Sequence, residues 1–254
     1  MIRVGIFGAS GRVGQLIIHE IGVHRNMEIG AVFVRKELDF NLPEGSLVTN
    51  DLSAFMQCCD VIIDFSSKEA TNALLCALDS TSSPVPCVIG TTGLDEQDFA
   101  LMESCSKRIP ILYASNMSLG VALLRQIVEQ VAAKLTHADI EISEIHHRYK
   151  KDAPSGTALS LAESCAKGRK QPLNEILVTD RSKGARKNGE LGIVSLRGGD
   201  VVGKHCVGFY LDGEYLEFTH NATNRLTFAK GALECAAWLV NKPPKLYSID
   251  EVFA

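Results

Sequence analysis

The first half of this 254-residue chain is predicted to form an α/β domain, a doubly wound parallel sheet, and a second α+β domain with a mixed sheet follows it. Three observations lead there. Short apolar runs alternate with helix-like segments through the first half. A glycine-rich turn, Gly8-Ala9-Ser10-Gly11-Arg12-Val13-Gly14, joins the first run to the first helix. Beyond residue 190, strand-like pieces follow one another with no helix between them.

Ile2–Phe7 (IRVGIF) is the first strand candidate, and VGQLIIHEI after it has helical spacing. Met27–Val34 and Asp60–Ser66 read as further strands, with a helix around Ala70–Leu78. Val85–Gly93 gives a strand, DEQDFALMESC a helix with an acidic first turn, and IPILYAS another strand. Near-continuous apolar strands separated by helices imply a parallel sheet covered on both faces. The pattern changes after a long amphipathic helix, Leu119–Leu135. ADIEISEIHH is strand-like, Ala158–Ala166 helical, and DRSKGARKNGELG a basic loop in which Arg181 to Lys187 are expected to be solvated and mobile. In EYLEFTHNA, Leu216 and Phe218 alternate with Tyr215, Glu217 and Thr219, as a sheet with one covered face requires. A last helix, Arg225–Val240, can return to the first domain.

Composition narrows the function. Apolar residues make up 46% and charged residues 22%, which is ordinary globular usage. A net charge of −4 gives no general footprint for nucleic acid or an anionic membrane. No apolar run approaches the about 20 residues needed to span a bilayer. The eight cysteines include no C-x-x-C, and the N-terminus enters a strand without signal-peptide character. The expectation is a reduced, cytoplasmic, soluble protein with neither a nucleic-acid nor a membrane partner.

The spacing of Gly8, Gly11 and Gly14 is G-x-x-G-x-x-G, between a first strand and a first helix. Glycines permit a tight turn there, and a helix N-terminus offers unpaired N–H groups to a pyrophosphate. A plain βα turn is the alternative. At the end of the second strand, a carboxylate would bond the ribose of NADH. Val34-Arg35-Lys36 stands there instead, with Glu37 beyond. Two cations suit a 2′-phosphate, so NADPH is favoured and NADH stays open; a plain solvated strand end is the alternative.

The stretch EIHHRYKKDAPSGTA, Glu144 to Ala158, carries the other chemistry. Successive strand side chains point to opposite faces, so His146 and His147 are poorly placed to share a metal ion. Arg148, Lys150 and Lys151 would repel one, and no metal is expected. Ser155, Gly156 and Thr157 stand where a helix begins, so hydroxyls and N–H groups converge as in a carboxylate or phosphate site. The imidazoles and lysines beside them can donate protons. A Ser/Thr-capped helix beside an exposed basic loop is the competing reading. An adjacent dinucleotide domain favours the anion site, because a hydride carrier needs an anionic acceptor and a balancing proton.

At this point the sequence resembles the dihydrodipicolinate reductase (4-hydroxy-tetrahydrodipicolinate reductase) family of diaminopimelate and lysine biosynthesis. The likeness runs in order through GxxGRxG, GTTG at Gly90–Gly93, ASNMSLGV at Ala114–Val121, the His146 stretch, RGGDVVGKH at Arg197–His205 and EFTHNATNRLTFAKGA at Glu217–Ala232. It implies a Rossmann-like domain of residues 1–117 and 227–254, with residues 118–226 as the substrate-binding and oligomerisation domain of a homotetramer. By resemblance, His146 is a proton donor and acceptor and Lys150 the proton donor to the substrate. His147, Ser155, Gly156 and Thr157 hold the dicarboxylate. Gly8, Ala9, Ser10, Gly11, Arg12 and Val13 cradle the pyrophosphate, and Arg35 meets the 2′-phosphate. Gly90, Thr91, Thr92, Ala114, Ser115, Asn116 and Met117 line the path from adenosine to nicotinamide.

Departures from the family pattern are Val34 in place of an acid, Met117 in place of an aromatic, and Tyr149 in place of a histidine. Elsewhere Cys58-Cys59 reads as packing, and His205 and His220 as structural rather than catalytic, with either able to border the substrate cleft. Two other functions fit parts of the pattern. One is an amino-acid dehydrogenase on the same kind of domain, against which the H-H-x-x-K…S-G-T order argues. The other is a non-catalytic nucleotide sensor, which has no need of Lys150.

Overall fold

The computed structural model describes residues 1–253 apart from Lys36, Glu37, Asp39, Asn41, Glu44 and Ser83. The expectations placed on Lys36 and Glu37 therefore lie outside the described residues. The chain divides into two units: Met1–Ser118 with Leu226–Ala254, and Leu119–Arg225.

In chain order, the first stretch gives β1 (Ile2–Phe7), α1 (Arg12–Ile21), β2 (Met27–Phe33), β3 (Leu47–Thr49), α2 (Leu52–Gln57), β4 (Val61–Asp64), α3 (Lys68–Ser80), β5 (Cys87–Ile89), α4 (Glu96–Ser106) and β6 (Pro110–Tyr113). The middle gives α5 (Leu119–Lys134), β7 (Asp139–His146), α6 (Gly156–Gly168), α7 (Leu173–Ile176), β8 (Leu177–Val178), β9 (Leu191–Arg197), β10 (Gly203–Leu211) and β11 (Glu214–Ala222). The chain then closes with α8 (Leu226–Leu239) and β12 (Lys245–Ser248).

The first unit is a seven-stranded sheet in the order β12-β6-β5-β4-β1-β2-β3, with every pairing parallel. This is the doubly wound α/β architecture expected. Alternation decides its layers. Phe7, Ala31, Ile62, Cys87, Ile89 and Ile111 share one cluster with Phe55 of α2, Leu74, Leu75 and Leu78 of α3, and Met102 of α4. The intervening Ile6, Val32, Ile63, Val88 and Leu112 are equally buried and face the other way, on the side of α1 and α8, which pack together. Both faces being covered explains strands that read as unbroken apolar runs. Strand order reverses between β1 and β4, and ligands of such sheets sit at the carboxyl ends flanking the reversal.

The second unit is a mixed sheet, β11-β10-β7-β9-β8. β10 runs antiparallel to β7 and β11, whereas β9 runs parallel to β7 and β8. One face carries α5 and α6. Rows of residues in register build its core: Ile140, Leu191 and Phe209, then Ile142, Ile193 and Val207. Cutting one such aliphatic residue to alanine costs about 2–5 kcal/mol.

The strands and helices named from sequence are present. β3, α2, α7, β8 and β12 are additional. The basic segment is also more structured than expected: Arg181 bonds Glu190 and Glu141, and Arg186 bonds Asp139 and Glu141. No helix among the described residues is long and apolar enough to cross a membrane.

Candidate active site

In the first unit, β1 ends into the glycine turn. Gly8 has φ +91, a conformation that side chains disfavour, and a Cβ there would overlap the Phe65 carbonyl. Gly11 donates its N–H to the Gly8 carbonyl at 3.0 Å. A Cβ at Gly14 would overlap that same carbonyl, so only glycine lets α1 rest on the turn. Gly11 is also the N-cap of α1 and has no side chain to answer its first N–H groups. Asp51, Ser67, Asp95 and Ser155 do cap their helices with side chains. A turn with glycine at its closest approaches, leading into helical donors that no side chain caps, fits the pyrophosphate of a dinucleotide.

The other expected cofactor residues gather at the carboxyl ends of the same sheet. Arg35 is exposed, two residues past the end of β2. Gly90 follows β5 and donates its N–H to the Asp64 carbonyl at 2.8 Å; Thr92 is exposed. Thr91 is buried, with its Oγ1 2.9 Å from that of Thr71. Thr71 Oγ1 in turn lies 2.6 Å from the buried carboxylate of Asp64, which also accepts from the Ser66 N–H. Burial pushes the Asp64 carboxyl up, against these hydrogen bonds. Asp64 ties the loops after β4 and β5 together and was not singled out from sequence. Ala114, Ser115 and Asn116 follow β6 with Ser115 exposed, whereas the Met117 side chain is 1% exposed and packs inside.

In the second unit the rows of the sheet change character toward the end of β7. Above Ile142 comes Glu144, level with Ser195 and His205; above that, His146 lies level with Arg197. All of them stand on the face that the helices cover. The Glu144 side chain is fully buried and receives both Nη atoms of Arg197 at 2.9 Å. It also lies 2.5 Å from His146 Nδ1 and accepts the Ser155 N–H at 3.2 Å. Burial alone would raise its carboxyl. Arg197 and His146 outweigh that and hold it below the usual carboxylate range.

His205 is 3% exposed, and its Nε2 lies 3.2 Å from Ser155 Oγ. Burial pushes it down to about 4, so it is neutral at pH 7. Its ring meets that of His146 edge-on at 5.0 Å. Burial also lowers His146, only partly offset by Glu144.

The loop beyond β7 is fastened to the one beyond β9. Gly198 donates to the His146 carbonyl and Arg148 to the Gly199 carbonyl. Lys150 Nζ bonds Asp152 at 2.8 Å, and Arg197 donates to the Asp152 carbonyl at 2.5 Å. Ser155 caps α6 through the Ala158 N–H. Gly156 opens the helix with empty space where a Cβ would stand. His147 Nδ1 is buried without a hydrogen-bond partner among the described residues.

The structure thus brings His146, Ser155 and the start of α6 together, with Lys150 on the intervening loop. It adds Glu144 and Arg197, which the sequence reading did not assign to the site, and His205, which it read as structural or at most bordering the cleft. Their signal was their place inside EIHHRYKKDAPSGTA and RGGDVVGKH, the two segments that meet here.

A parallel sheet with a glycine turn before its first helix, and a mixed sheet with imidazoles beside the residue that caps α6, fit a class: two-domain oxidoreductases that use a nicotinamide nucleotide. Residues 2–117 match the family model "Dihydrodipicolinate reductase, N-terminus", and residues 120–253 match "Dihydrodipicolinate reductase, C-terminus". The chain belongs to the dihydrodipicolinate reductase family. It is 58% identical to a 4-hydroxy-tetrahydrodipicolinate reductase of Helicobacter hepaticus, covering 99% of this chain and 98% of that one. It is 55% identical, over the same shares, to a 4-hydroxy-tetrahydrodipicolinate reductase of Wolinella succinogenes. A solved structure of dipicolinate-bound dihydrodipicolinate reductase from Paenisporosarcina sp. TG-14 superposes with a TM-score of 0.81 at 26% identity, over 98% of this chain and 97% of that one.

Proposed function

We infer that the chain catalyses the nicotinamide-nucleotide-dependent reduction of the cyclic dicarboxylate imine derived from 4-hydroxy-tetrahydrodipicolinate, giving tetrahydrodipicolinate. The observation that carries this reading is the family match along both halves of the chain.

The turn Gly8, Ala9, Ser10, Gly11, Arg12 and Val13 would hold the pyrophosphate. Arg35 would meet a 2′-phosphate, which favours NADPH over NADH. Gly90, Thr91, Thr92, Ala114, Ser115, Asn116 and Met117 would line the remaining path, Thr91 and Met117 through their backbones. When bound, the reduced nicotinamide supplies a hydride to the distal carbon of the conjugated imine.

The chain's own residues do the rest. Gly156 and Thr157 would offer the opening N–H groups of α6 to a substrate carboxylate, next to Ser155, and His147 would supply a further donor. That grip orients the ring before reaction. Negative charge then grows toward the ring nitrogen and C3. Lys150 delivers the balancing proton, and its cation stabilises the charge while it forms. His146 exchanges protons with the site. The Lys150 ammonium holds the Asp152 carboxyl below the usual range, so Asp152 stays ionised at neutral pH.

The reading carries with it a homotetramer in the cytoplasm. All eight cysteines are free, in keeping with a reducing compartment. The sheet face turned away from α5 and α6 exposes Val194, Leu196, Tyr210 and Tyr215, an apolar surface suited to a second copy.

Turnover tests the function. The freshly made condensation product of pyruvate and aspartate semialdehyde should drive oxidation of NADPH, with a larger kcat/KM than for NADH. Arg35→Ala should cut that ratio roughly tenfold, the worth of one charge-assisted hydrogen bond. Oxidation of neither cofactor would contradict the reaction, and a preference for NADH would contradict the role of Arg35.

A further inference from the structure

We propose that Glu144 and Arg197 are positioning residues that hold His146 in the tautomer protonated on Nδ1, so that His146 takes up and releases protons at Nε2. The proposal rests on the reading of His146 as a proton-handling group.

The fully buried Glu144 carboxylate receives Arg197 through both Nη atoms, a bidentate pair that fixes its plane. Its Oε2 also lies 2.5 Å from His146 Nδ1, and its Oε1 accepts the Ser155 N–H. An ionised carboxylate only accepts hydrogen bonds, so Nδ1 must donate. A neutral imidazole carries one N–H, which leaves the lone pair on Nε2. One carboxylate therefore sets both the histidine at the end of β7 and the residue that caps α6.

The space around Nε2 agrees. A Cβ at Gly203 would stand 3.0 Å from His146 Nε2 and 3.6 Å from His205 Cε1, so glycine keeps that edge clear. His205 does not engage the nitrogen: its own Nε2 is paired with Ser155 Oγ, and the two rings meet edge to face. The titratable and charged groups around His146 are Glu144 on its own strand, Arg197 from β9, His205 from β10 and Lys150 from the loop. Among these, only Glu144 is placed to accept from Nδ1. Proton balance is then local. Neutral His146 gains a proton at Nε2, becomes an imidazolium facing Glu144, and returns the proton from the same nitrogen.

Histidine-selective nitrogen NMR of the full chain reads the tautomer without turnover, so it stays decisive even if no reductase activity is found. The His146 signals are identified by their loss in His146→Gln. Neutral wild-type His146 should show a protonated Nδ1 and a bare Nε2; the reverse overturns the proposal. Glu144→Gln keeps the shape but can present an NH2 donor to Nδ1. It should raise the share of the Nε2-protonated form and lower kcat about 100-fold, within the range that general acid–base catalysis contributes. The dissociation constant for NADPH should not move. An unchanged tautomer and kcat in that variant overturn the proposal, and if the variant does not fold, the wild-type spectrum decides.

Discussion

Glu144 accepts from Arg197, His146 and the Ser155 backbone, and each donor comes from a different segment. At the scale of single residues, this buried carboxylate organises the site. Removing a partner from such a pair costs about 3–5 kcal/mol, because the remaining charge stays buried. Lys150 is different: its partner Asp152 is exposed, so a neutral replacement leaves no buried charge. Lys150→Ala should therefore fold normally and lower kcat about 100-fold or more, as loss of a general acid does, while NADPH affinity stays the same. Titration of cofactor fluorescence alongside steady-state kinetics checks this, and an equal loss of cofactor binding would mean that Lys150 serves the nucleotide. The histidines, Lys150 and the helix-start Ser155-Gly156-Thr157 were legible in the sequence because they stand together. Arg197 was not, because it lies 53 residues from Glu144 and only strand pairing brings them level. His205 passed as structural for the same reason.

Among the elements, parity does most of the positioning. β7 buries Ile140, Ile142, Glu144 and His146 in alternation, so one face runs from apolar core to polar site within a single strand. The longer elements could be read from periodicity. β3, α2, α7, β8 and β12 span two to six residues each, too few for a period to declare itself. The segment from Arg181 to Lys187 read as a solvated loop because its acidic partners Asp139 and Glu141 belong to a strand forty residues earlier. The opposite face of the sheet has its own consequence. Val194 and Leu196 of β9 are 53% and 51% exposed. If copies associate through this face, wild type should sediment as a tetramer and Leu196→Glu as a smaller species, since an unpaired buried charge costs several kcal/mol. A monomeric wild type would contradict the assembly.

On the scale of the whole molecule, the chain leaves its parallel-sheet unit after Ser118 and returns to it at Leu226, and the intervening residues fold around their own core. That arrangement gives one unit the glycine turn between β1 and α1 and the other the His146, Lys150 and α6 cluster. The alternation of strands and helices, with the glycine turn, carried the first unit from sequence. The run of strands beyond residue 190 carried the mixed sheet of the second, but not which strands pair in which direction: β9 runs parallel to β7 while β10 runs antiparallel to it. The central claim is reduction of a cyclic dicarboxylate imine by hydride from a nicotinamide nucleotide. The most direct measurement uses NADPH deuterated at the transferable C4 position together with the freshly made substrate, and the product is read by mass spectrometry. The account predicts one deuterium in the reduced product for each NADPH oxidised, given the correct C4 stereoisomer. NADPH oxidised without deuterium reaching the product from either C4 stereoisomer, or no oxidation at all, would contradict it.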